Sequence, residues 1–119
     1  MKVTNTIVNI NSDNPERLQK FYSEVVQLPP MPNMGPGMFD IGSGAILAVD
    51  GHSELHGATK EPPRVLLDLV VEDLASEQKR LEGAGVKFIR SAGKEEWGGI
   101  ISTFTDPDGN YCQIMQYSG

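Results

Sequence analysis

"WGGIISTFTDPDGNYCQIMQY", residues 97–117, decides the fold. Two apolar runs, "GGIISTF" (98–104) and "YCQIMQY" (111–117), flank "TDPDGN" (105–110). Asp-Pro-Asp-Gly-Asn has Pro at the second position of a turn and Gly where positive φ is needed, so a tight β-turn joins two strands. Carboxylates in such a turn bond nearby amides. Alternation along the last strand puts Tyr111, Gln113, Met115 and Tyr117 on one face. Cys112 and Ile114 fall on the other, and Cys112 reads as an inert core thiol.

Upstream, "RVLLDLVV" (64–71) reads as a strand, and Asp73 caps the helix "LASEQKRLEGAG" (74–85). Leu74 and Leu81 share its apolar face, Gly85 ends it, and "VKFIRS" (86–91) is a further strand. The first half has the same punctuation. "VTNTIVNI" (3–10) alternates as a strand, with Val3, Asn5, Ile7 and Asn9 on one face and Thr4, Thr6, Val8 and Ile10 on the other. Asp13 or Asn14 caps a helix whose first turn holds Pro15 and whose stripe is Leu18, Phe21, Tyr22 and Val25. "PPMPNMGPG" (29–37) is a loop carrying Met31 and Met34, and "MFDIGSGAILAVDG" (38–51) holds two short strands joined at Ser43-Gly44.

The pattern is βαβββ, a polar linker (52–63), then βαβββ. Asp13 matches Asp73 at an offset of 60, and Gly44 matches Gly109 at an offset of 65. The fold class is α+β in one domain: module 1 over about 1–51, module 2 over about 64–119. His52 and His56 stand four apart in the linker, where Gly51 and Gly57 argue against a metal-binding helix. They read as exposed linker histidines.

The net charge of −6 argues against nucleic-acid binding, which needs a basic face. One cysteine in 119 residues excludes an intrachain disulfide and fits a reducing cytoplasm. The N-terminus lacks the apolar core of a signal peptide, and no stretch approaches the roughly 20 apolar residues of a membrane helix. With a mean hydropathy of −0.28, the expectation is a soluble cytoplasmic protein with no membrane or nucleic-acid partner.

The duplicated pattern, "DNPERLQKFYSEVVQL" (13–28), "LVVEDLASEQKRLEGAGVKF" (69–88) and above all the 97–117 stretch resemble the vicinal oxygen chelate superfamily. This is the glyoxalase I, bleomycin-resistance and extradiol dioxygenase group. The resemblance implies that the two modules form a curved mixed sheet around a cavity, with helices outside. In metal-dependent members the cavity holds a divalent ion, ligated by His, Glu or Gln from the first and fourth strand of each module. The ion chelates two neighbouring substrate oxygens. Here those positions read as Asn5, Ala48, Leu66 and Gln113. Two have no ligating atom, amide oxygens are weak ligands, and a one-residue shift rescues nothing. The expectation is no metal, no cofactor and no catalytic residue.

One acid remains to be explained. Asp68 lies within "RVLLDLVVED", where an unpaired buried carboxylate would cost several kcal/mol. If Leu66 faces the cavity, Asp68 and Val70 do too, while Leu67, Leu69 and Val71 pack beneath the helix. Two readings are open for Asp68: pairing with Arg64 or Arg90, or contact with a ligand. The implied pocket is Asp68, Asn5, Gln113, Tyr111, Met115 and Tyr117, with Trp97 at its mouth or packed as an ordinary large ring. Mostly apolar walls with a few polar groups suit a small molecule. The leading function is therefore a glyoxalase-like protein without the metal site that binds or sequesters a small molecule, as in antibiotic resistance. The alternatives are a metal-dependent lyase, isomerase or dioxygenase of the same superfamily, and a non-catalytic interaction module. A homodimer is expected, because about 60 residues per module give little core.

Overall fold

The computed structural model describes residues 1–118. Contacts divide the chain into a unit Met1–Gly57 and a second unit that begins at Ala58, a boundary inside the polar stretch 52–63. Each unit is a sheet with one helix on one face.

In the first unit, β1 (Ile7–Ser12) is followed by α1 (Pro15–Lys20), which continues into a π-helical turn, Phe21–Val25. Then come β2 (Met38–Asp40) and β3 (Ile46–Gly51), and the sheet order is β1-β3-β2, with β1 parallel and β2 antiparallel to β3. The helix side buries Leu18, Tyr22 and Val26 against Phe39, Leu47 and Val49. The second strand of the pattern, the one after the helix, is reduced to one bridge, Pro30 to Phe39. The cause is in the sequence: Pro29, Pro30 and Pro32 have no N–H to donate to a ladder.

The second unit realises the full pattern. β4 (Leu67–Val70), α2 (Leu74–Gly83), β5 (Phe88–Lys94), β6 (Ile100–Thr105) and β7 (Tyr111–Gln116) form a sheet of order β4-β7-β6-β5. Its core, Leu67, Leu74, Leu81, Phe104, Cys112 and Ile114, lies on the helix side. Asp73 caps α2: its carboxylate accepts from the Ser76 amide (3.1 Å) and hydroxyl (2.7 Å), which holds its pKa below the ordinary value. Val86 N–H donates to the Leu81 carbonyl and Gly85 N–H to that of Glu82, the paired bonds that close a helix C-terminus. Gln116 Oε1 accepts from the Leu74 amide at 2.8 Å, tying the start of α2 to β7.

The turn between β6 and β7 forms as expected. Asp106 Oδ1 accepts from the amides of Asp108 (2.9 Å) and Asn110 (3.0 Å), and Gly109 takes φ +83°. His52 and His56 are exposed and non-helical.

Several boundaries move: the strand expected over 64–71 is Leu67–Val70, and the one expected over 86–91 runs Phe88–Lys94. The first strand, expected over 3–10, runs from Ile7 to Ser12, because β3 begins at Ile46 and pairs there with Ile7. The cap of α1 is Asn14, whose Oδ1 accepts from Arg17 N–H, while Asp13 Oδ2 accepts from Gly57 N–H at 2.7 Å. Asn14 therefore corresponds to Asp73, and the helical repeat has an offset of 59 rather than 60.

Candidate functional site

The face of the second sheet away from α2 carries most of the residues singled out from the sequence. Asp68 pairs with Gln113 and Val70 with Met115, and β6 adds Thr103 opposite Gln113 and Ile101 opposite Met115. These six side chains share a face because registered neighbours point the same way. The two-sided character of residues 66–70 is visible in their burial. Leu67 is buried and Leu69 half-buried, whereas Leu66, Asp68 and Val70 are exposed.

Asp68 has neither pairing partner considered for it. Arg64 is held by Glu61 at 2.8 Å and Arg90 by Glu95 at 2.6 Å. No hydrogen bond or ion pair joins the Asp68 carboxylate to any described residue. Neighbouring groups partly remove it from water, and this desolvation raises its pKa above the ordinary 3.8. Gln113 Nε2 donates to Thr103 Oγ1 at 3.0 Å, so the amide is fixed beside the acid with its carbonyl oxygen free to accept. Thr103 was not singled out from the sequence, although alternation along 98–104 could have placed it on this face.

Trp97 and Tyr117 meet edge to face, with ring centroids 6.4 Å apart. The indole lies over Gly99, where a Cβ would overlap it and stand 2.7 Å from the Gln116 carbonyl oxygen. Gly99 is thus the gap that lets the ring fold down onto the β6–β7 end of the sheet. Both rings remain more than half exposed. The unit places Asp68 on β4 and Tyr111, Gln113 and Met115 on β7, while Trp97 stands in the turn before β6 and Tyr117 just after β7. Asn5 belongs to the other unit. It precedes β1, and its Oδ1 accepts from the next amide, Thr6 N–H, at 2.8 Å.

The offset of 59 also changes the internal counterpart of one position that the resemblance reads as a metal-ligand place. The counterpart of Leu66 in the first unit is Ile7, not Asn5. The pairs Asn9 with Ala48 and Asp68 with Gln113 agree with this correspondence. Ile7, Ala48 and Leu66 carry no donor atom, and Gln113 offers an amide. Among the described residues no three His, Cys, Asp or Glu side chains come together as a metal-binding group.

The sequence profile of the Glyoxalase/Bleomycin resistance protein/Dioxygenase superfamily matches residues 5–114. The chain belongs to this superfamily. Solved structures share its fold at low identity. A superfamily member from Sphaerobacter thermophilus DSM 20745 is 21% identical, with a TM-score of 0.74 and 98% of each chain covered. TnmS3, an antibiotic binding protein from Streptomyces sp. CB03234, is 22% identical, with a TM-score of 0.71 and 98% of each chain covered. A family enzyme from Burkholderia phytofirmans PsJN is 16% identical at a TM-score of 0.73, over 94% of this chain and 97% of that one. No curated protein matches. No helix among the described residues is long and apolar enough to cross a membrane.

Proposed function

We propose that this superfamily member binds and sequesters a small molecule on the helix-free face of its second sheet, and does so without a resident metal. The observation that carries the reading is the unpartnered Asp68 carboxylate, set among Val70, Met115 and Gln113 with Trp97 and Tyr117 at one end. An acid kept partly dry and unpaired is stabilised by an incoming cation. Aromatic edges and a thioether supply flat, adaptable apolar contact. The ligand class is an aromatic molecule with a cationic group. The antibiotic-binding protein of the same fold, TnmS3, is consistent with such use. The side chains at Ile7, Ala48 and Leu66 support metal-free binding, since a Lewis-acid centre needs about three or four protein ligands. The reading includes a homodimer, in which exposed Ile7 gains cover.

Two measurements test it. Elemental analysis of dialysed protein is expected to give no stoichiometric Ni, Zn, Fe or Mn, and one retained equivalent contradicts the metal-free reading. A thermal-shift screen of aromatic cations is expected to raise Tm by several degrees for at least one compound. A screen in which nothing shifts favours a non-catalytic interaction module.

A further inference from the structure

The two helices carry glutamines at equivalent places, Gln19 and Gln78, each five residues after its cap. Gln78 is used at both ends. Its Oε1 accepts from Ser102 Oγ at 2.6 Å, and its Nε2 donates to Ser91 Oγ of β5 at 3.1 Å. Gln19 Nε2 donates to the Val49 carbonyl at 2.9 Å, but its Oε1 has no partner among the described residues.

The register explains the difference. Met38 pairs with Ala48 as Thr103 pairs with Gln113, so Gly37 stands where the second unit has Ser102. Gly37 has no hydroxyl to give, and a larger residue is excluded. Its φ is +80°, and a Cβ there would collide with the Val49 carbonyl oxygen and lie 2.6 Å from Gln19 Nε2. At the place of β5 the chain forms only the Pro30–Phe39 bridge, and no described residue there bonds Gln19 as Ser91 bonds Gln78.

Beside this proline-rich segment lies a groove of about 410 Å³. Its walls are Pro30, Pro32, Pro36, Met38 and Phe39, with Gln19 among its lining residues. Proline rings with fixed φ make a rigid apolar wall, and the volume lies within the range of small-molecule sites. The charges beside it, Glu16 and Lys20, are opposite and one helical turn apart, so the groove selects for neither ion.

We propose that this groove is a second small-molecule site, independent of the one on the other unit. Its ligand class is a neutral, compact aromatic heterocycle whose N–H donates to Gln19 Oε1. The ligand would supply the hydrogen bond that Ser102 gives Gln78.

The test is a titration of the full chain with indole, followed by amide NMR, with benzothiophene as a control of the same outline lacking an N–H. Saturable shifts are expected at the Gln19 side-chain amide, Gly35 and Gly37, with benzothiophene weaker by about three- to tenfold, the worth of one neutral hydrogen bond. In Gln19→Leu the two compounds should bind alike. Indole shifts that fall outside the groove, or that never saturate, overturn the proposal. So does equal binding of the two probes to the wild type, a comparison that needs no variant to fold.

Discussion

The two units are built from one pattern and end differently. In each, a capped helix covers the side of a sheet that buries an aromatic at matched register, Phe39 in the first and Phe104 in the second. The second ties its helix glutamine to two serines, Ser91 of the edge strand β5 and Ser102 of β6. The first has a proline-rich segment at the place of β5, and its glutamine keeps an unused acceptor. On the opposite faces the contrast falls at Asn9 and Asp68. These positions correspond, but only the second unit places a carboxylate there, beside an amide held by Thr103. The lesson is that a duplicated fold can hold its core constant while each copy exposes different unsatisfied groups.

The comparison can be broken first at its shared core. Phe104→Ala is expected to cost about 3–5 kcal/mol, read as a fall in the denaturation midpoint. Phe39→Ala should fall at the lower end of that range, because its cavity opens into a groove already present. Equal costs would mean that the groove does not relieve the first unit. The glutamines come next. Gln78→Ala leaves the fully buried Ser102 hydroxyl without its acceptor and should cost about 1–3 kcal/mol. Gln19→Ala removes one bond to a backbone carbonyl and should cost less.

The smallest effect sharpens the contrast at Asp68. Desolvation raises its folded pKa, so the folded state binds this proton more tightly than the unfolded state does. The stability linked to this proton is present below the ordinary 3.8 and is lost as pH rises through the raised folded value. Asp68→Asn should therefore be equal to or slightly more stable than wild type at neutral pH, by less than about 1 kcal/mol. The wild type should gain on it as pH falls toward 3.8. Urea midpoints of the two proteins from about pH 3 to about pH 8 read the change in this gap. A gap that does not change with pH would remove the desolvation argument.

Much of this was legible in the sequence. Alternation gave the phase of the strand around Asp68 and of the final strand, since a period of two leaves only two choices once one face is apolar. Turn chemistry gave "DPDGN". What was less legible depends on contacts between distant segments. The start of β1 is set by where β3 begins, so Asn5 read as strand although it lies ahead of it. Asp13 and Asn14 are both good caps, and only the bond from Gly57 to Asp13 shows that Asn14 holds the helix. The correspondence of Gly37 with Ser102 needs the register of both sheets, and no local pattern encodes it. The polar face at Asp68 was named, but Thr103 was missed because β6 was read only as apolar.

The most direct test of the account is a fluorescence titration of wild type and Asp68→Asn with ethidium, a planar aromatic cation, at low and high salt. Saturable binding is expected to weaken about tenfold in the variant and to fall with salt in the wild type alone, the behaviour of a charge-assisted contact. Equal affinity of the two proteins at both salt concentrations would contradict the assignment of Asp68 to the binding site.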